Sequence, residues 1–339
     1  MRLSFDDGVR LFDCDLLDLG VRADKVRRKK FGDVTTFIID RNINYTNVCE
    51  NECRFCAFWR RSDRSDAYLL TLDEILEKVR ETVECGGTQV MIQGGLNPAL
   101  DLAYFERMFR AIKSRYSITI HSLTATEIEW LARREGLSIV ETLKRLQAAG
   151  LDSLPGGGAE ILVDSIRKKI SPRKIMTDGW LEVMRAAHSI GMKSTATMVI
   201  GFGETIEQRI EHMEKVRRLQ DETGGFRAFI TWTFQPLNTA LGGEKTSAWD
   251  YMKTLAATRI YLDNIDHIQG SWVTQGERIG QLTLGFGADD LGSIMLEENV
   301  VRAAGTRFEM SVRKMIDLIE GAGMTAAQRD TEYNIIRRY

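Results

Sequence analysis

Eight short runs rich in β-branched and aromatic residues recur along this 339-residue chain, most of them separated by an amphipathic stretch. The runs are TTFIIDRNINYT (35–46), TQVMIQGG (88–95), SITIHSL (117–123), LDSLPGG (151–157), KSTATMVIGF (193–202), RAFITWTFQP (227–236), IQGSWVT (268–274) and QLTLGFG (281–287). Stretches such as LTLDEILEKVRETVECGG, DLAYFERMFRAIKSR, TDGWLEVMRAAHSIG and TIEQRIEHMEKVRRLQDE lie between them and space their apolar residues at three and four. Thr71 and Glu74 have capping-box spacing ahead of Ile75 and Leu76. Strand runs alternating with helical ones predict parallel βα units. The length suits a (β/α)8 barrel of typically about 250 residues plus extensions; a doubly wound sheet is the alternative use of the same units. The sequence therefore predicts an α/β fold, a TIM-type barrel in a single domain over 1–339. A helical extension occupies 1–35, the barrel core 36–290, and C-terminal helices over 291–339 close the barrel.

Composition narrows the function. Hydrophobic residues make up 43% of the chain, enough for a sizeable core, and the net charge of −2 gives no reason to expect a nucleic-acid or membrane-surface partner. No apolar run approaches the roughly 18 residues of a membrane span. The N-terminus, MRLSFDDGVRLFDCDLLDLG, carries acids where a signal peptide has a basic and then an apolar stretch. The expectation is a cytoplasmic protein. In a reducing compartment its five cysteines serve as ligands or core residues rather than disulfides.

Chemistry in a βα barrel collects at the C-terminal ends of the strands. The residues following the predicted strands are the cysteine-bearing CENECRFC, then GGLNP, PGGGAE, GFGET, QPLNT and GADDLGS. Cys49, Cys53 and Cys56 fall within eight positions, spaced C-x3-C-x2-C. Structural zinc wants four tetrahedral ligands, and no histidine lies near; the closest is His121. A catalytic zinc uses three ligands and leaves one position open, so zinc stays a candidate. A [4Fe–4S] cluster is normally held by four thiolates; three leave one iron free to bind a small molecule. Cys14 and Cys85 stand alone and are expected to be packing residues.

The cysteine spacing, with Phe55 before the last cysteine, resembles the signature of the radical S-adenosylmethionine (SAM) superfamily. The resemblance implies a [4Fe–4S] cluster on Cys49, Cys53 and Cys56, SAM on its open iron, and an electron donor such as flavodoxin or ferredoxin. Gly94 and Gly95 resemble the family's GGE motif, with Leu96 in place of the acid; Glu160 and the Gly201–Glu204 turn resemble further SAM-binding positions. CRFCAFWR resembles enzymes of the futalosine route to menaquinone and the related deazaflavin F0 synthases. The blocks GLDSLPGGGAEIL, RLQDETGGFRAFITWTFQPLNT and GADDLGSIMLEENVV are most similar to the cyclic dehypoxanthine futalosine synthases, and the resemblance runs from about residue 35 to RDTEYN. It implies a small-molecule substrate, dehypoxanthine futalosine, whose ribose C4′ loses hydrogen and closes onto a benzoate ring.

The final proton loss in such a reaction calls for a base. His121 and Glu160 are the candidates. Asp289 and Asp290 are expected near the ribose hydroxyls, Ser271, Thr274 and Gln275 near the carboxylate, and Trp232 against the aromatic ring, with Phe234 and Trp272 as other aromatics of that region. Arg60 and Arg61 are cations of the right type for a carboxylate, although RRSDR reads more simply as a solvated charge run. His188 and His212 read as ordinary helix residues, and His267 falls at the opposite end of the barrel.

Overall fold

Two helices, α1 (Phe5–Arg10) and α2 (Leu16–Phe31), precede the first strand in the computed structural model, which describes residues 2–339. The remaining elements follow in order: β1 (Val34–Ile38), β2 (Asp40–Ile43), α3 (Leu72–Glu84), β3 (Gln89–Ile92), α4 (Leu102–Lys113), β4 (Thr119–Ser122), α5 (Ala125–Glu135), α6 (Ile139–Ala149), α7 (Asp164–Ile170) and α8 (Thr177–Ser189). Then come β5 (Ser194–Ile200), α9 (Ile206–Thr223), β6 (Phe226–Thr233), α10 (Ala248–Tyr261), β7 (His267–Gln269), α11 (Glu277–Leu282), β8 (Asp290–Ser293), α12 (Val300–Ala303), α13 (Val312–Gly321), β9 (Thr325–Arg329) and β10 (Ile335–Arg338).

The predicted barrel is present. Strands β5, β6, β7, β8 and β1 pair in parallel in one sheet, and β2, β3 and β4 in another. Because β1 and β2 are consecutive halves of one stave, they join the two sheets. The ring closes on the other side through Ser153 and Leu154, which bridge His121 of β4 and Ser194 of β5. The fourth stave is that short because Pro155 and three glycines follow it, and proline has no N–H to offer a ladder. Helices pack around the ring through faces such as Ile75, Leu76 and Val79 of α3, and the expected Thr71/Glu74 capping box forms at its start.

The eighth stave is not where the alternation of QLTLGFG places it. Residues 277–286 are helical and Leu282 is exposed, while β8 is Asp290–Ser293. Its sequence, DLGS, carries no apolar alternation, because its buried charge is neutralised by a partner rather than avoided. Asp290 accepts from Arg329 Nε and Nη2 at 2.5 and 3.0 Å and from the Thr36 hydroxyl at 2.6 Å. The C-terminal segment also differs from the expected closing helices. It contains α12 and α13 but ends in two strands, β9 pairing in parallel with β1 and β10 antiparallel with β9. Residues 329–333 then lie across the N-terminal mouth of the barrel.

His188 and His212 are packing groups, as read from the sequence. His188 bonds Thr223 Oγ1 and Ser194 Oγ, both at 2.7 Å, and burial together with Lys193 pushes its pKa down to about 4. Burial, with Arg167 and Lys215, pushes His212 down to about 3. A folded-state pKa below the unfolded value of 6.5 means that the unfolded chain takes up the proton first as the pH falls. Between pH 7 and pH 5 His188 therefore withdraws about 2 kcal/mol of stability. In urea titrations, wild type is expected to lose about 2 kcal/mol more than His188→Gln over that interval; equal losses would show that His188 is protonated in the folded state.

Candidate active site

The loop after β2, residues 44–70, carries the three cysteines and is fastened by its own backbone. The Cys49 amide donates to Arg60 O at 3.0 Å, the Arg60 amide to Asn47 O at 2.7 Å, the Glu50 amide to Leu96 O at 3.1 Å and the Arg54 amide to Ile170 O at 2.9 Å. Asn47 accepts from the Tyr68 amide and donates to Asp66 O. Arg60, weighed above as a carboxylate ligand, instead donates to the carbonyls of Ala57, Phe58 and Trp59 and pairs with Asp66. Arg61 is exposed.

All three cysteines are free thiols. Burial pushes Cys53 up to about 12 and raises Cys56, so without a ligand both stay protonated at neutral pH. Iron binding must displace those protons, which couples loading to pH. The thiols do not converge on one ion position; a cubane takes each thiolate on a separate iron and does not require them to. Cys14 is half-buried as expected, but Cys85 caps α3 in an exposed position and packs against nothing in the core.

Gly94 and Gly95 follow β3 beneath this loop. A Cβ on Gly95 would lie 2.2 Å from Val48 O and 2.7 Å from Cys49 Cβ, and one on Gly94 would lie 2.6 Å from the Tyr45 ring. Glycine is needed here because the cysteine loop passes directly over the strand end. Glu127, not foreseen from the sequence, ties the two together: it accepts from Tyr45 OH at 2.7 Å, from the Gly94 amide at 3.2 Å and from the Thr124 amide at 2.6 Å. The readable signal was the capping box Thr124-x-x-Glu127.

Glu160 sits beside the cluster loop, buried, with a backbone φ of 41° that non-glycine residues rarely adopt. Its carboxylate pairs with Lys174 Nζ at 2.8 Å and lies 3.5 Å from Arg167 Nη1. Lys174 in turn stands 5.4 Å from the centre of the Phe55 ring. Arg167 holds the glycine loop by donating to the carbonyls of Gly158, Ala159 and Ile175. Neither cation was singled out in the sequence, where both fall in basic stretches that read as solvent-facing.

A cavity of about 290 Å³ runs down the barrel interior from Glu160 and Trp232 to Arg227, Arg329 and Tyr333. His121 lines it, with Nδ1 2.7 Å from Ser153 Oγ. Burial, with Arg227 and Arg329, lowers its pKa well below the ordinary value, so the imidazole is neutral at neutral pH. Asp40 also faces the cavity, held by Gln89 Nε2 at 2.6 Å and by the Ser293 hydroxyl.

Several expected site residues lie elsewhere. Glu204 turns its carboxylate onto its own turn, accepting from the Gly201 and Phe202 amides and pairing with Arg209 at 2.9 Å; Gly201, at φ 108°, supplies the conformation that turn needs. Asp289 and Asp290 are not ribose ligands. Asp289 pairs with Arg259 and with His267 Nδ1 at the N-terminal end of the barrel, where His267 was expected, and Asp290 is spent on Arg329. The Ser271 amide donates to Tyr251 OH, the Ser271 and Thr274 hydroxyls meet at 3.3 Å, and Gln275 donates to Thr233 Oγ1; all three residues are outside the cavity lining. Trp272 and Phe234 are buried packing residues, so Trp232 alone of the three aromatics faces the cavity.

The glycine constraint has a direct consequence. Gly95→Ala must push back the segment bearing Cys49, at an overpacking cost of about 1–3 kcal/mol. After anaerobic reconstitution with iron and sulfide, this variant and Cys53→Ala are both expected to hold much less iron than wild type. Full iron content in a folded Gly95→Ala protein would show that the loop tolerates displacement.

Comparison with known proteins agrees with this geometry. Residues 43–216 match the radical SAM superfamily, and residues 223–338 match the CofH/MqnC C-terminal region. The chain is 48% identical to the cyclic dehypoxanthine futalosine synthase of Streptomyces coelicolor, over 98% of this chain and 85% of that protein. It is 42% identical to a 5-amino-6-(D-ribitylamino)uracil–L-tyrosine 4-hydroxyphenyl transferase of Archaeoglobus fulgidus, over 93% of this chain and 92% of that one. Among solved structures, the FeFe-hydrogenase maturase HydG of Carboxydothermus hydrogenoformans has the same fold, with a TM-score of 0.78 at 17% identity, covering 98% of this chain and 77% of that one. Superfamily members use a [4Fe–4S] cluster and SAM, and three free thiols on a braced loop beside a buried Glu–Lys pair fit that requirement. The chain belongs to the radical SAM superfamily, among the enzymes that carry the CofH/MqnC C-terminal region.

Proposed function

We propose that this enzyme converts dehypoxanthine futalosine to cyclic dehypoxanthine futalosine in menaquinone biosynthesis. When bound, the cluster and SAM supply the 5′-deoxyadenosyl radical that removes the ribose C4′ hydrogen. Cys49, Cys53 and Cys56 would hold the cluster. Glu160 and Lys174 offer one charge of each sign to the amino and carboxylate groups of SAM. Trp232 lines the upper part of the cavity, against the part of the substrate that reaches toward Glu160. His121 takes the proton that leaves the cyclised ring radical as it regains aromaticity, the accompanying electron passing to the oxidised cluster; the neutral imidazole has a lone pair for that purpose, and Ser153 fixes the ring orientation. A small redox protein such as flavodoxin or ferredoxin delivers electrons, and the enzyme works in the cytoplasm. No helix among the described residues is long and apolar enough to cross a membrane.

One observation carries this reading: a single cavity leads from Glu160, which Lys174 links to Phe55 of the cysteine loop, past a neutral histidine to a cationic floor, so one extended, anionic substrate can meet all three. Sister activities, making aminofutalosine or a deazaflavin precursor, share the cofactor end and differ at the substrate end.

The decisive test is anaerobic turnover with SAM, dithionite and dehypoxanthine futalosine, followed by mass spectrometry. A product two hydrogens lighter than the substrate, formed together with 5′-deoxyadenosine, is expected. SAM cleavage that leaves the substrate untouched would sink the substrate assignment. In His121→Asn the ratio of cyclic product to 5′-deoxyadenosine should fall by roughly 100-fold or more. The wild-type rate should show no loss from protonation of His121 between pH 6 and 8, because its lowered pKa keeps it neutral throughout. An unchanged product ratio in His121→Asn would remove the histidine from the mechanism.

A further inference from the structure

The floor of the cavity ends on a cation with no matching buried anion. Arg227 is the second residue of β6, lines the cavity, and has a side chain only 9% exposed. Its Nη1 donates to Thr331 O at 2.8 Å and to Glu332, whose side chain is 58% exposed. Its Nε and Nη2 are buried and have no hydrogen-bond partner among the described residues. These two nitrogens form the side-on fork of the guanidinium, the edge whose parallel N–H groups match two carboxylate oxygens.

Nothing nearby completes that fork. Arg329 is committed to Asp290, and Asp40 is held by Gln89 and Ser293. His121 is turned onto Ser153. Buried polar groups are nearly always partnered, so an empty fork in a ligand cavity is a place made for something that arrives. Burial also lowers the pKa of Arg227, in keeping with a charge that the protein leaves under-compensated.

We propose that Arg227 is a specificity-determining residue: its Nε–H and Nη2–H receive the carboxylate of the substrate's benzoate ring at the floor of the barrel. This rests on the reading that the substrate carries a benzoate. Arg227 and Trp232 are five residues apart on one strand, a span of roughly 17 Å. That leaves room for the ring above the fork and for the ribose toward Glu160 and the cysteine loop. Glu332 and Thr331 hold Nη1 from outside, which sets the direction of the fork before substrate enters. A neutral analogue would leave buried donors unpaired, and sites of that kind discriminate strongly.

The test compares dehypoxanthine futalosine with its carboxamide in reconstituted wild type, Arg227→Met and Arg227→Lys, by KM, kcat and equilibrium dialysis. Iron content and melting temperature serve as controls. Wild type should favour the acid over the amide by roughly 30-fold or more in KM. Arg227→Met should lose most of that preference. Arg227→Lys, a charge without a fork and the variant to rely on should the methionine protein not fold, should keep part of it. An acid-to-amide preference in the variants equal to that of wild type would overturn the proposal while leaving the cyclase reading intact. If wild type neither binds nor converts the acid, the functional reading itself falls, and the role of Arg227 falls with it.

Discussion

A single buried carboxylate ties the last stave of the barrel to the first. Asp290 belongs to β8, accepts the Thr36 hydroxyl from β1, and takes two guanidinium hydrogen bonds from Arg329 of β9. Three neighbouring strands therefore meet on one side chain. A buried charge of this kind is tolerable only when fully paired, and removing one partner strands the other in a low-dielectric interior. The preceding acid works on the other side of the chain. Burial alone would raise the pKa of Asp289, but Arg259, His267 and the Ile268 amide hold it below the ordinary value. Consecutive acids thus bind α10 and β7 on one side and β1 and β9 on the other, and β9 is locked against the barrel.

The opposite end is organised by close approach rather than by charge. The cysteine loop is long and has no regular structure, yet it is held in register because it crosses two glycines that admit no Cβ and because Glu127 binds both layers. Lys174 and Phe55 then link that loop to Glu160. The positive φ of Glu160 belongs with this arrangement: a strained backbone persists where surrounding contacts over-determine it, and such positions cluster at functional sites.

These two ends differ in how much of them the sequence discloses. The cysteine triplet, the glycine pair, Glu160 and the alternation of strands with helices are local patterns; the chain forms the barrel that the alternation predicts and gathers the other three at one end of it. The floor is not local. Asp289 and Asp290 read as polar loop residues because an acid in a barrel stave violates the apolar pattern, and its neutralising partner lies 39 residues further on for Asp290. Arg227, Arg329 and Lys174 are missed for the same reason: a cation in a strand or a basic run looks solvated until its surroundings are known. QLTLGFG misleads in the opposite direction, since alternation over seven residues also fits a short helix running into a turn that ends at Gly287.

The division between local and distant signals matches a division of labour. The segment resembling the wider superfamily, residues 43–216, supplies the three cysteines, the glycine pair, His121, Glu160 and Lys174. The segment matching the CofH/MqnC C-terminal region, residues 223–338, supplies Arg227, Trp232, Gln269, Ser293, Arg329 and Tyr333, all of which line the cavity. The first half of the barrel carries the cysteines and the Glu160–Lys174 pair that the proposed function gives to the cofactors, and contributes His121 to the cavity wall. The second half, closed by the C-terminal strands, shapes what that machinery meets. Differences among sister enzymes should therefore be sought on the walls contributed by β6 to β9, where a change in one cavity-lining side chain alters the substrate without disturbing the cluster.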